Sequence, residues 1–186
     1  PIHSLKFTPN GKYIISGSFD KTIRVWSLRS GYAMYILKKL TKHNKSYITK
    51  EQKALYGTIQ SDNQVIISKN SKYLATFFWN KAVLLSVKNG RILQKFTFQA
   101  PRIDSIDFSS DNKFLTIGPW SNIVIVFSLK SYKKFKIFID TKNKAWSVKF
   151  SPDSKFIAIQ TYPNEYIHIY RTKEITKDYI DENVPA

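Results

Sequence analysis

The chain has 186 residues, 42% hydrophobic and 15% aromatic, with 30 Lys and Arg against 13 Asp and Glu for a formal charge of +17. That apolar content supports a folded core and excludes a disordered polyelectrolyte. There is no cysteine, so disulfides and thiolate zinc sites are excluded and a reducing compartment fits; no run of 18 apolar residues reads as a membrane-spanning helix.

The chain opens on Pro1 without a signal peptide, and the expectation is a piece of something longer, placed inside the cell and in the cytoplasm ahead of the nucleus. Residues 3–7 read as a short first strand. Thr8-Pro9-Asn10-Gly11-Lys12 then reads as a type I turn, with Pro presetting φ early and Gly tolerating φ > 0 late. Residues 13–18 run extended, Asp20-Lys21 reverses the chain, and residues 22–28 alternate between two faces with β-branched and aromatic side chains. An outer strand follows near 32–37. Around residues 41–60 the sequence turns polar and basic, an insertion of about eighteen residues read as a surface loop with room for a turn or two of helix over 49–56.

The same pattern then returns three times. Its anchors, Phe7, Ile67, Phe108 and Phe150, are spaced 60, 41 and 42 residues apart, and the two shorter intervals match the about 40–45 residues of a four-stranded propeller blade. After each anchor comes a turn of one type: Thr8-Pro9-Asn10-Gly11-Lys12-Tyr13, Ser68-Lys69-Asn70-Ser71-Lys72-Tyr73, Ser109-Ser110-Asp111-Asn112-Lys113-Phe114 and Ser151-Pro152-Asp153-Ser154-Lys155-Phe156. First strands fall near 64–68, 103–108 and 146–150, and outer strands near 91–98, 134–139 and 175–180. Lys on those outer strands guards an exposed sheet edge.

Unit one, with its Ser-Pro-Asp-Gly-like turn, Ile15-Ser16-Gly17-Ser18, Asp20 and Ile23-Arg24-Val25-Trp26, resembles the WD40 repeat family. The resemblance covers residues 2–170 and implies an all-β fold: a β-propeller of four-stranded antiparallel blades, about four in this segment and part of a larger ring. The blades are expected near 2–40, 57–98, 99–139 and 140–180, the propeller segment spanning 1–170 and an outer strand with a tail spanning 171–186. The family's buried network implies structural roles for Ser16, Asp20 and Trp26. No unit keeps the family's histidine, and Asn80, Ser121 and Pro163 replace the Asp in units two to four. Half-satisfied buried networks are costly, so those units are expected to hold by apolar packing, with Leu85, Phe127 and Ile169 at the Trp position.

Catalysis has no visible carrier. His3, His43 and His168 lie in unrelated settings, His168 reading as a strand residue and not a ligand, and no phosphate-binding Gly loop or nucleophile elbow is present. Asp104 and Asp107 lie three apart on one strand, on opposite faces. The expectation is no enzyme and no cofactor. The informative residues are aromatic: Phe19, Trp79, Trp120 and Tyr162 occupy equivalent turns where small polar residues are usual. By resemblance these turns lie on the face that grips peptides and partner proteins. Arg102 and Lys144, each six residues before an anchor, together with Trp146 stand nearby as a basic rim for an acidic or phosphorylated peptide. The bland alternatives are rings folded over the neighbouring blade and solvated loop charges. The functional reading is a protein–protein scaffold within a multi-subunit complex. The alternative is binding of nucleic acid or an anionic membrane through the basic surface; against it, the cations are scattered and Lys, Asn, Ile, Phe and Tyr are abundant together, as composition bias gives.

Overall fold

The computed structural model describes residues 2–18, 22–38, 65–139, 142–163 and 166–175. Among the described residues fifteen strands form four antiparallel sheets, each a simple meander. Blade 1 contains β1 (Ile2–Phe7), β2 (Tyr13–Ser18), β3 (Thr22–Ser27) and β4 (Ala33–Lys38). Blade 2 contains β5 (Val65–Ile67), β6 (Tyr73–Phe78), β7 (Lys81–Ser86) and β8 (Ile92–Thr97). Blade 3 contains β9 (Ile103–Phe108), β10 (Phe114–Pro119), β11 (Ile123–Ser128) and β12 (Lys134–Phe138). Blade 4 has β13 (Lys144–Phe150), β14 (Phe156–Tyr162) and β15 (Ile167–Arg171), after which the chain enters a single helical turn, α1 (Thr172–Ile175). The outer strand expected near 175–180 lies, past Ile175, outside the described residues, as does the insertion at 41–60.

One turn design joins the first two strands of every blade. Gly11, Ser71, Asn112 and Ser154 all take positive φ, between 58° and 65°. That left-handed conformation is disfavoured by a side chain, and a short polar side chain or none is the usual way to meet it. In each turn a hydroxyl (Thr8, Ser68, Ser109, Ser151) donates to the carboxylate or amide oxygen two residues on, at 2.6–2.7 Å. The same hydroxyl accepts the N–H that opens the second strand. The turn also latches consecutive blades. Asn10 N–H donates to Ser71 Oγ at 3.0 Å, Asn70 N–H to Asn112 Oδ1 at 2.9 Å, and Asp111 N–H to Ser154 Oγ at 3.1 Å.

The core lies between blades. Ile15, Ile23 and Val25 of blade 1 meet Val65, Leu74 and Leu85 of blade 2. Ala75, Phe77 and Leu84 on the other face of blade 2 meet Ile106, Leu115 and Phe127 of blade 3. Val124, Val126 and Ile137 of blade 3 meet Val148, Ile157 and Ile159 of blade 4. Blades 2 and 3 alternate their side chains between two neighbours, which is why their central strands are apolar on both faces. At the seam of blades 3 and 4, Gly118 gives the closest approach: a Cβ there would lie 3.0 Å from Val148 Cγ1. Ser105 Oγ donates to Val148 O at 3.1 Å, and Asp107 Oδ2 accepts Phe150 N–H at 2.9 Å across the same seam.

Register assigns the Trp position in each blade. Trp26 pairs with Ile14, Leu85 with Leu74, Phe127 with Leu115, and Tyr170 with Ile157. Leu85 and Phe127 are fully buried against the preceding blade, as expected. Ile169 is a correction. It is 68% exposed on the opposite face, and Tyr170 packs on the core in its place. The cause is length: four residues separate β14 from β15 against three between β10 and β11, and a one-residue shift turns a strand's side chains over.

Two sheet faces have no neighbour among the described residues. The face of blade 1 turned away from blade 2 carries Leu5 and Phe7, 55% and 61% exposed, with Trp26 half-buried beside them. The face of blade 4 turned away from blade 3 carries Phe156, Ile167 and Ile169, all exposed. Blades 1 to 4 therefore form an arc with an apolar face at each end.

Candidate partner-binding site

The site is built where second strands turn into third strands, at the end of the arc opposite the latched turns. Tyr162 ends β14, Trp120 follows β10, Arg102 precedes β9, and Lys144 opens β13. Backbone bonds fix this end: Trp120 N–H donates to Arg102 O at 2.8 Å, and Ala145 N–H to Ser121 O at 2.9 Å across blades 3 and 4. Trp120 stacks at a tilt on Tyr162, ring centroids 5.5 Å apart, and meets Trp146 edge-on at 5.6 Å. Trp146 and Tyr162 close the triangle at 6.2 Å. Nearly half of the Trp146 surface and half of the Tyr162 surface remain exposed.

Arg102 caps the triangle. Its guanidinium carbon lies 4.5 Å from the Trp120 ring centroid and 5.8 Å from that of Trp146, within cation–π range. Asp104 holds it from below, its Oδ1 accepting from Arg102 Nε at 2.7 Å. Burial pushes the Asp104 carboxyl above its usual range, and the bond and charge of Arg102 oppose the shift. Asp104 Oδ2 is buried with no hydrogen-bond partner among the described residues. Lys144 Nζ lies 6.0 Å from the Trp120 ring and has no carboxylate within ion-pair distance among the described residues. Arg102 is thus engaged by Asp104 and the rings, and Lys144 stands beside the same Trp120 ring.

A β-bulge aims two of these side chains. The β9–β10 register shifts between Ile103 and Ser105, and the β13–β14 register between Ala145 and Ser147. Asp104 and Trp146 are the extra residues, four before their anchors, and bulges re-aim side chains at sheet ends. Strand alternation places both on an ordinary face, so no pattern in the residues marks Asp104; Trp146 is legible only by its position near the rim. His3 sits at the equivalent bulge of blade 1.

Of the other expected residues, Trp79 reaches the same end through its backbone. It holds φ at 54°, and its carbonyl accepts Ile103 N–H at 2.6 Å, next to Arg102. Phe19 and Asp20 lie outside the described residues. In blade 1 Trp26 Nε1 donates to Ser16 Oγ at 2.9 Å. That pair is replaced in blade 3 by Ile117 and Phe127, both fully buried. Asn80, at the Asp position of blade 2, donates to Phe98 O at 2.8 Å. Asp107 is separate from Asp104, paired with Phe150 N–H and, at 3.8 Å, with Lys149. His168 packs edge-on to Tyr166 on β15. Among the described residues no cluster of His, Asp and Glu is arranged to hold a metal ion, and no helix is long and apolar enough to cross a membrane.

Residues 1–27 match the family model of the WD domain, G-beta repeat. The first repeat is a WD40 repeat. The later units share its β-propeller fold. The β-propeller domain of Cps50 (Swd1) from Myceliophteria thermophila superposes with a TM-score of 0.68 at 12% identity, over 94% of this chain and 52% of that one. Protein HIRA of Dictyostelium discoideum is 30% identical over 84 residues, which is 45% of this chain and 7% of that protein. The chain thus spans about half of the one relative and a small part of the other. WD40 propellers are in general protein-interaction scaffolds without catalytic activity.

Proposed function

We propose that this WD40 segment is a non-catalytic scaffold that binds a peptide or partner protein on the end carrying Trp120, Trp146 and Tyr162. The observation that carries the reading is the ring triangle capped by Arg102 and left half open to solvent. Exposed aromatics gathered around a cation are the usual composition of an interface hot spot. The ligand that fits is a short segment with an apolar or aromatic anchor for the rings and an acidic or phosphorylated neighbour for Lys144. Trp79 and, on blade 1, Phe19 would extend the footprint along the arc.

A peptide array varying the anchor and its acidic neighbour tests this. Trp146→Ala should weaken the best binder by about 2 kcal/mol or more while leaving the far-ultraviolet dichroism unchanged. Binding by the basic surface to nucleic acid or anionic membrane would behave otherwise, ignoring Trp146→Ala and, for nucleic acid, losing about 10³-fold between roughly 50 and 200 mM salt. That second pattern overturns the proposal.

A further inference from the structure

At the opposite end of the arc, between blades 1 and 2 and reaching Tyr132 of blade 3, runs an open groove of about 500 Å³. Lys12, Lys72 and Lys88 line it with the phenol-bearing Tyr13, Tyr73 and Tyr132, and no carboxylate is among its lining residues. Three like charges around one groove repel each other, and an anion placed among them relieves that repulsion.

Comparison of the four repeats shows that the charge is a local choice. In blades 3 and 4 the turn carries Asp111 and Asp153, whose carboxylates pair with Lys113 at 3.4 Å and Lys155 at 3.7 Å. In blades 1 and 2 the same place holds Asn10 and Asn70. Their amide oxygens accept the same hydroxyl, at 2.7 Å from Thr8 and from Ser68. They also accept the same backbone N–H, at 3.1 Å from Lys12 and 3.0 Å from Lys72. The turn geometry is kept and the negative charge is dropped, in the two blades that flank the groove. Lys12 and Lys72 are consequently without a carboxylate partner among the described residues. The groove and the two neutralised turns are separate observations that point the same way.

We propose that this groove is a binding site for a compact polyanion carrying two or more phosphate groups. The three ammonium groups supply charge-assisted hydrogen bonds, and the tyrosine hydroxyls add neutral donors. The site lies at the other end of the molecule from the ring triangle and stands or falls independently of it.

Titration calorimetry of the chain with inorganic tripolyphosphate tests the assignment. One ligand per chain is expected, and the double substitution Asn10→Asp with Asn70→Asp should weaken it at least about tenfold, because each restores the carboxylate that neutralises the neighbouring lysine. Both changes preserve the hydrogen-bonding shape of the turn, so the dichroism spectrum should not change. Gln99→Glu with Gln160→Glu, on exposed residues that do not line the groove, makes the same change in net charge and should leave binding within about twofold. Equal loss in the two double variants, or no saturable binding, overturns the site. Vesicles bearing phosphoinositide headgroups form the second arm: capture of the wild type but not the Asp double variant identifies a lipid headgroup as the source, and binding of soluble tripolyphosphate alone identifies a free phosphorylated compound.

Discussion

Trp26 and Phe127 hold the same place in their blades and differ in what surrounds them. Phe127 is sealed between blades 2 and 3 and contacts Phe96 edge-on at 5.0 Å, so Phe127→Ala should cost about 3–5 kcal/mol in chemical denaturation. Trp26 is half-buried on a face with no described neighbour, and its polar anchor is the bond to Ser16. Trp26→Phe, which removes that bond and keeps an aromatic ring, should cost about 0.5–1.5 kcal/mol. Tyr35 gives a pH signature. Its hydroxyl donates to Val87 O across blades 1 and 2, and burial raises its phenol from 10.0 to about 12. A raised value means that the folded chain holds the proton more tightly than the unfolded one. Stability from this group is therefore intact below pH 10 and lost as pH rises towards 12. Denaturation midpoints should fall across that window, and Tyr35→Phe should flatten the fall.

Among elements, the turns after the first strands were the most legible part of the chain, because a left-handed position restricts which residues can stand there. Gly11, Ser71, Asn112 and Ser154 expose that restriction in the sequence itself. The shift from Ile169 to Tyr170 was not legible: β-alternation fits either residue, and only the length of the preceding turn decides. The bulges at Asp104 and Trp146 were hidden for a related reason, since an extra residue in a strand leaves no mark in composition. The aromatic turn residues were visible, but the packing of Tyr162 on Trp120 depends on how two blades meet. That meeting is close at Gly118. Gly118→Val should force blades 3 and 4 apart and destabilise by about 1–3 kcal/mol. Adding Val148→Ala should recover part of the loss, since the two sites share one volume; a strictly additive pair in a denaturation cycle would show that the blades do not meet there.

For the whole molecule, the decisive feature is the pair of end faces that have no neighbour among the described residues. Burial of apolar area is worth about 25 cal/mol per Å², and Leu5, Phe7, Phe156, Ile167 and Ile169 leave that contribution unrealised. The isolated 186-residue chain should self-associate with rising concentration, read by sedimentation velocity. A compact monomer across a hundredfold range would require the two ends to cover each other. Replacing Phe7 and Ile169 by Lys should suppress association, since each is exposed and neither contributes to a core between blades. Such solubilised variants would also let the two ends of the propeller be probed for ligands separately.

The latch between consecutive turns has a direction. Each backbone donor belongs to the earlier blade and each side-chain acceptor to the later one, at Ser71, Asn112 and Ser154. Blade 1 has Gly11 where the acceptor should be. Whatever sheet covers its open face, whether from the same polypeptide or from a second copy, finds nothing there to fasten to. That joint is short by one hydrogen bond worth about 0.5–1.5 kcal/mol, so blade 1 marks the place where a completed ring would part first under heat or tension.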